Sequence, residues 1–150
     1  MEQPLKILML EDLQDDVGLI ERTLKKQGID FVSQRVDTQE QFTEALTLFD
    51  PDVILSDHAL PQFNSLEALG ICQKLGFNVP FILVTGTVSE EFAVTCLKHG
   101  ADDYVLKSNL VRLPSAIQNA LRQRHHEQKR KKAERTLREQ NVQLVKINKE

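Results

Sequence analysis

The stretch Asp52-Val53-Ile54-Leu55-Ser56-Asp57 decides the fold of this chain. Its centre is a short, uninterrupted apolar run, which is typical of a strand buried on both faces. Similar runs occur at Leu5–Leu10 and Phe81–Thr85. Because strands of this kind occur mostly in parallel sheets covered by helices on both sides, the pattern predicts an α/β fold.

Amphipathic stretches separate these runs. A helix is predicted at Gln14–Gln27, ending at Gly28, which is a good residue for a helix C-terminus. The complete prediction has five strands, at Leu5–Leu10, Phe31–Val36, Val53–Ser56, Phe81–Thr85 and Tyr104–Leu106. Five helices alternate with them: Gln14–Gln27, a helix capped by Thr38, Ser65–Leu75, Glu90–Lys98 capped by Ser89, and a last helix that begins at Leu110 or Leu113 with Pro114 in its first turn. This alternation favours right-handed crossovers in a parallel sheet.

The composition is that of one globular domain with an appendage. The 150 residues are 41% hydrophobic and 27% charged, which excludes collagen-like, disordered and disulfide-scaffold proteins. No apolar run approaches the roughly 20 residues of a membrane span. Met1–Lys6 does not resemble the start of a signal peptide, and Cys72 and Cys96 have no metal-binding spacing. We therefore expect a cytoplasmic protein with two buried thiols.

The charge divides the chain into two parts. Residues 1–114 carry a formal charge of −9 and residues 115–150 carry +6. The last helix has no stop signal, and helix-favouring residues continue to the end. We expect a globular domain at 1–124 and, at 125–150, a charged helical extension or a linker to an output domain. A weak coiled-coil seam follows a 4-3-4-3 spacing at Ala133, Leu137, Gln140, Leu144 and Ile147.

Polar side chains follow the predicted strands at their carboxyl ends, where open parallel sheets bind ligands. These residues are Glu11, Asp12, Asp57, Thr85 and Lys107. Two carboxylates about 4 Å apart repel by roughly 4 kcal/mol at an effective dielectric of 20, so three need a cation. Hard oxygen ligands suit Mg²⁺ or Mn²⁺. Such a site is suited to receive a phosphoryl group, with a carboxylate as nucleophile and the lysine as a second positive charge.

The same residues carry a family resemblance. The chain resembles the receiver domain of two-component response regulators over about residues 4–124. The matching motifs are Ile7–Asp12, Asp52–Asp57 followed by Leu60-Pro61, Phe81–Gly86, and Gly100–Lys107. The resemblance implies a flavodoxin-like, doubly wound (βα)5 fold with the strand order 2-1-3-4-5 and an extended last helix.

The resemblance also implies the site residues. Asp57 matches the phosphoacceptor, Asp12 a direct metal ligand, and Glu11 its acidic partner acting mainly through water. The backbone carbonyl of Ala59 would complete the protein ligands of Mg²⁺, with Mn²⁺ as an alternative ion. Such a domain catalyses only its own phosphorylation and a slow autodephosphorylation, so it is not an enzyme in the metabolic sense.

The remaining implied roles concern switching. Lys107 matches the phosphate-binding lysine, Thr85 the switch hydroxyl, and Tyr104 the aromatic residue that changes rotamer when Thr85 moves. The implied phosphoryl donor is a phosphohistidine on a sensor histidine kinase or a phosphotransfer protein. A homodimer that passes its state through the last helix is the expected form.

Other functions remain open at this point. Lys107 is followed by Ser108, where the family usually has proline, and the loop Gln62–Ser65 lacks the usual glycines. These departures favour a phosphorylation-independent protein-binding module as the alternative. A flavin- or nucleotide-binding enzyme would need a glycine-rich phosphate loop, which the sequence lacks. The basic stretch Arg122–Arg138 has no aromatic residues, so we expect a solvated helix face rather than a nucleic-acid contact.

Overall fold

Strands and helices alternate along the chain in the computed structural model, which describes residues 3–58, 63–86 and 90–148. A short 3₁₀ helix, Lys107–Arg112, precedes the last α-helix. The strands are β1 (Leu5–Leu10), β2 (Phe31–Val36), β3 (Val53–Ser56), β4 (Phe81–Thr85) and β5 (Asp103–Leu106), and the α-helices are α1 (Gln14–Lys26), α2 (Gln39–Leu48), α3 (Ser65–Lys74), α4 (Glu90–Lys98) and α5 (Leu113–Asn148).

The five strands form one sheet in the order β2-β1-β3-β4-β5, and every pair is parallel. This confirms the predicted flavodoxin-like topology, including the strand order. The register pairs Leu10 of β1 with Ser56 of β3, and Thr85 of β4 with Leu106 of β5. The residues that follow these pairs therefore lie side by side at one edge of the sheet.

The central strands are buried on both faces, as their continuous apolar sequence predicted. In β1, Leu8 and Leu10 belong to a core cluster that includes residues of α2, α3 and α4, such as Phe42. Ile7 and Met9 point to the opposite side, into a cluster with α1 and α5. Each face of the sheet is thus covered by its own layer of helices, and the polar residues at the strand ends lie at the carboxyl edge between the two layers.

Both cysteines lie in the core cluster on the α2–α4 side and are free thiols. Burial raises the pKa of the Cys72 thiol to about 12 and raises that of Cys96 as well. A thiol that stays protonated is a poor nucleophile and a poor metal ligand, so the two cysteines act as core residues.

Two helix ends, at Thr38 and Gly28, have the structure that the sequence predicted. The Thr38 hydroxyl accepts a hydrogen bond from the backbone N–H of Gln41 at 3.2 Å, which confirms the predicted cap of α2. Gly28 has a φ of 79°, a conformation that glycine adopts without strain, and it follows α1 as predicted. Helix α3 is capped by the Asn64 side chain, which the sequence analysis did not single out. The predicted cap Ser89 lies outside the described residues.

Helix α5 is far longer than the sheet requires, with 36 residues. Its first turns pack on the core through Leu113, Ile117 and Ala120. Arg124 then donates from Nε and Nη2 to the two carboxylate oxygens of Asp102, each at 2.9 Å. Residues 125–143 are all exposed. None of the described helices is both long and apolar enough to cross a membrane.

Candidate phosphoacceptor and metal site

Three carboxylates meet where β1 and β3 end. The backbone N–H of Asp57 donates to the carbonyl of Leu10 at 2.9 Å, and this sheet-type bond holds Asp57 beside Glu11. Glu11, Asp12 and Asp57 each offer an oxygen, and these atoms lie within 4.8 Å of one another. Glu11 and Asp57 are buried, whereas Asp12 is half-buried. The sequence analysis predicted this juxtaposition from the strand ends alone.

Lys107 brings a positive charge into the carboxylate group. It follows β5, whose last residue pairs with Thr85, so its side chain starts at the same sheet edge. Its Nζ lies 2.8 Å from Glu11 Oε2 and 3.1 Å from Asp57 Oδ2. Burial by itself would lower the pKa of Lys107, but hydrogen bonds to Asp16 and Glu11 and the Asp57 charge raise it above its ordinary value. The lysine is therefore a permanent ammonium in this site.

Asp16 is a further carboxylate beside the site, and it was not predicted from the sequence. Its Oδ2 lies 2.6 Å from Lys107 Nζ, the shortest of the three lysine contacts. Asp16 stands in the first turn of α1, directly after the loop that carries Glu11 and Asp12. The first turn of a helix that follows a strand lies at the carboxyl edge of the sheet, and that position is the signal that could have identified Asp16.

The site has an excess of negative charge. The pKa of Glu11 is raised from 4.5 to about 7, mainly by burial and in smaller part by the Asp57 charge. Hydrogen bonds from Lys107 and from the backbone N–H of Leu13 act in the opposite direction without cancelling the burial effect. The Lys107 ammonium thus contacts Glu11, Asp16 and Asp57, and Asp12 adds a fourth carboxylate to the same group. Hard carboxylate oxygens in excess of cations fit Mg²⁺ or Mn²⁺ well.

The other predicted site residues lie at different depths. Thr85 is buried at the end of β4, one strand away from Asp57. Tyr104 lies two residues before the β5 end, pairs with Leu83 and is 36% exposed. Ala59, the predicted donor of a backbone carbonyl, lies outside the described residues. The ring of His58 packs against Phe92 of α4 with centroids 3.6 Å apart, so the residue after Asp57 contacts a neighbouring helix.

Mg²⁺ is expected to bind more tightly as the pH rises through about 7, because the Glu11 carboxyl must lose its proton to attract the cation. Between pH 4.5 and about 7 the folded, metal-free chain holds a proton that the unfolded chain has released. The contribution of Glu11 to the free energy of unfolding therefore falls as the pH rises through this window. Titration calorimetry with Mg²⁺ at about pH 6 and about pH 8 measures the expected difference in Mg²⁺ affinity.

The matched control for this pH dependence is Glu11→Gln. The amide cannot titrate, so the variant should bind Mg²⁺ with a flatter pH profile over the same range. Equal Mg²⁺ affinities of the unmodified chain at the two pH values would contradict the expectation.

Comparison with known proteins agrees with this geometry. The model of the response regulator receiver domain family matches residues 7–118, which include Glu11, Asp12, Asp57, Thr85 and Lys107. The chain belongs to the response regulator receiver family. This confirms the resemblance drawn from the four sequence motifs.

Two curated relatives illustrate the range of proteins that share the domain. The luminescence regulatory protein LuxO of Vibrio campbellii is 32% identical over 115 residues, which are 76% of this chain and 25% of LuxO. The transcriptional regulatory protein TrcR of Mycobacterium tuberculosis is 30% identical over 127 residues, which are 82% of this chain and 48% of TrcR. The chain thus spans about a quarter to a half of these relatives.

Solved structures show the same fold. The signal receiver domain of a putative LuxO repressor protein from Vibrio parahaemolyticus superposes with a TM-score of 0.74 at 21% identity, covering 84% of this chain and 96% of that one. A CheY-like receiver domain protein from Methanospirillum hungatei superposes with a TM-score of 0.71 at 25% identity, covering 83% and 99%. Receiver domains of this family are regulatory parts of two-component systems.

Proposed function

We propose that this chain is a cytoplasmic phosphoreceiver switch. Asp57 accepts a phosphoryl group from the phosphohistidine of a sensor histidine kinase or of a phosphotransfer protein, in a reaction that depends on Mg²⁺. The observation that carries the proposal is the position of Asp57, which is buried, 3.1 Å from the Lys107 ammonium and grouped with Glu11 and Asp12. A carboxylate with a cation on one side and a metal-binding acid pair on the other is suited to this chemistry.

The proposed reaction is an in-line displacement at phosphorus. A carboxylate oxygen of Asp57 forms the new bond to phosphorus, and the bond from phosphorus to the donor imidazole nitrogen breaks. The imidazole leaves with the electron pair and is protonated there. Lys107, which reaches Asp57 in the resting protein, stabilises the negative charge on the transferring oxygens. The Thr85 hydroxyl, one strand away, donates a hydrogen bond to the attached group.

The metal would be held by Glu11, Asp12 and Asp57, with the backbone carbonyl of Ala59 as a further ligand. When bound, Mg²⁺ neutralises negative charge on the phosphoryl oxygens. The structure supports this assignment through the shared 4.8 Å cluster and through the raised pKa of Glu11, because burial and the neighbouring Asp57 charge disfavour the ionised Glu11 carboxylate in the absence of a further cation. Mn²⁺ has the same preference for hard oxygen ligands.

The output is proposed to pass through the last helix. Phosphorylation adds about −1.5 to −2 charge at Asp57. In this proposal Thr85 moves toward the new group and Tyr104, now partly exposed, turns inward, which changes the surface formed by α4, β5 and α5. The receiver comprises residues 1–124, and residues 125–150 form a helical extension or linker through which a homodimer transmits its state. Chemistry is limited to self-phosphorylation and slow autodephosphorylation.

Incubation of the whole chain with acetyl phosphate tests the proposal. With Mg²⁺ present, we expect the intact mass to increase by one phosphoryl group, because the small donor replaces the phosphohistidine. With EDTA in place of Mg²⁺, the mass should stay unchanged. A chain that gains no phosphoryl mass with Mg²⁺, or gains as much with EDTA, would contradict the proposal.

A phosphorylation-independent binding module is the second candidate. The observation that favours it is the closed ion-pair network around Lys107, whose Nζ already has three carboxylate partners at 2.6 to 3.1 Å. Such a network could hold the sheet edge in one conformation without any phosphoryl group. The acetyl phosphate experiment separates the candidates, since a binding module would show no mass change under either condition.

A further inference from the structure

The outer part of α5 lacks the buried side chains that stabilise the rest of the molecule. Every residue from 125 to 143 is exposed, and the helix backbone continues to Asn148. At 1.5 Å per residue this segment projects about 36 Å beyond the domain. Most helices in proteins are stabilised by packing one face against a partner rather than by helix propensity alone. The projecting segment therefore calls for a partner of its own.

The side chains on this segment include a stripe suited to helix pairing. Ala133, Leu137 and Gln140 follow the 4-3-4-3 spacing, and in the sequence Leu144 and Ile147 continue it. Leu137 is 60% exposed and lies on this stripe, so its side chain is available to a second helix. In heptad terms, Leu137 and Leu144 occupy a positions, and Ala133, Gln140 and Ile147 occupy d positions. Nearer the domain the same frame places Gln123 and Arg130 at a and His126 at d, so the apolar part of the seam lies at residues 133–147.

The flanking charges identify the partner. In this heptad frame Arg122 and Lys129 occupy g positions, and Glu127 and Glu134 occupy e positions. In a parallel two-stranded coil, each g residue lies opposite the e residue five positions later on the other strand. Arg122 would face Glu127 of the second copy, and Lys129 would face Glu134 of the second copy. Both pairs are of opposite charge, so the g and e flanks of the segment are complementary to those of a second copy.

The same charges disfavour the antiparallel alternative. Antiparallel helices set g against g and e against e, which would bring Arg122 and Lys129 against basic residues and Glu127 and Glu134 against acidic ones. Like charges at these positions cost stability and suppress the wrong pairing. We infer that α5 pairs with the same helix of a second copy of this chain as a parallel, in-register, two-stranded coiled coil, with its charged flanks at residues 122–134 and its apolar seam at residues 133–147.

The start of the coil is fixed to the domain by Arg124. Its guanidinium binds both oxygens of Asp102 and also donates to Asn78, which lies before β4. The Asp102 carboxylate accepts a further hydrogen bond from the backbone N–H of Phe81 at 2.7 Å. The helix therefore leaves the sheet in a defined direction, and a parallel coil would place two domains side by side at the same end.

This inference names the surface and register of the homodimer proposed above, and it can be tested without phosphorylation. Light scattering of the unphosphorylated whole chain over a range of concentrations should show a dimer. Leu137→Asn should weaken dimerisation about tenfold or more, because it replaces an apolar pair in the seam. The matched control is Val142→Asn, since Val142 is 56% exposed but lies at an outward f position, and this variant should dimerise normally.

Charge reversal tests the proposed ion pair between the g and e positions of the two helices. Glu134→Lys alone should weaken the dimer, because two lysines then face each other across each g–e contact. The double variant Lys129→Glu/Glu134→Lys restores opposite charges and should recover most of the dimerisation. Failure of the double variant to recover would overturn the proposed register.

Cross-linking tests the orientation. Gln140→Cys places a thiol at a seam position, so oxidation should link two copies of a parallel, in-register coil, whereas Val142→Cys should link far less. A monomer at all concentrations, or equal cross-linking at the two positions, would overturn the inference. If the coil fails while acetyl phosphate still modifies the chain, only this inference fails and the phosphoreceiver proposal stands.

Discussion

Replacing Asp57 by asparagine is expected to abolish phosphorylation by acetyl phosphate in the presence of Mg²⁺. The amide is a poor nucleophile and cannot form the acyl phosphate. It also removes one of the three oxygens grouped within 4.8 Å, so Mg²⁺ should bind more weakly. Intact mass spectrometry measures the first effect and titration calorimetry the second.

The Asp57→Asn variant should remain folded. It removes a buried negative charge from a group of carboxylates that repel one another, so the free energy of unfolding of the metal-free chain should not fall. The matched control is Asp50→Asn, the same substitution in the loop between α2 and β3. Asp50 is exposed and has a φ of 52°, which asparagine tolerates, so this variant should be phosphorylated like the original chain. Phosphoryl mass on Asp57→Asn would show that another residue is the acceptor.

Replacing Lys107 by methionine should slow phosphorylation by about 10²–10³-fold, the usual cost of removing one group that stabilises charge in the transition state. Methionine keeps a similar length but removes the ammonium that contacts Glu11, Asp16 and Asp57. The time course of phosphoryl incorporation from acetyl phosphate, at saturating Mg²⁺, gives the rate.

Lys25→Met provides the comparison for the lysine variant. Lys25 is exposed in the last turn of α1, so its loss changes the net charge of the chain equally but leaves the site intact. Its phosphorylation rate should match that of the original chain. If Lys107→Met reacted as fast as Lys25→Met, Lys107 would have only a structural role.

Much of the architecture could be predicted from local sequence because local physics decides it. Val53–Ser56 and Phe81–Thr85 are apolar up to their last residue, and only a position between two helical layers buries both faces of such a strand. The Thr38 cap and the Gly28 terminus depend on backbone groups a few residues away. The start of α5 was predicted less sharply, at Leu110 or Leu113, because the 3₁₀ helix Lys107–Arg112 has no distinct sequence signal.

The sequence predicted which residues belong to the candidate site, but not which of their side chains are in contact. Parallel strands bring their carboxyl ends to one edge, so Glu11, Asp12, Asp57 and Lys107 could be grouped from their positions after strands. Which carboxylates the lysine contacts depends on where α1 begins relative to β5. The contact between Asp16 and Lys107 joins residues 91 positions apart, and no local pattern reports it.

The residue order by itself determined the parallel sheet, the two helical layers, the acid-rich strand ends and the heptad spacing of the tail, because each follows from hydrophobic periodicity and from short-range backbone preferences. Only the tertiary structure decided the ion pairs of Lys107 with three carboxylates, the raised pKa of Glu11 and the hydrogen bonds from Arg124 to Asp102. These features depend on distance and on exclusion of water between groups far apart in the chain, and both exist only once the sheet and its helices have packed.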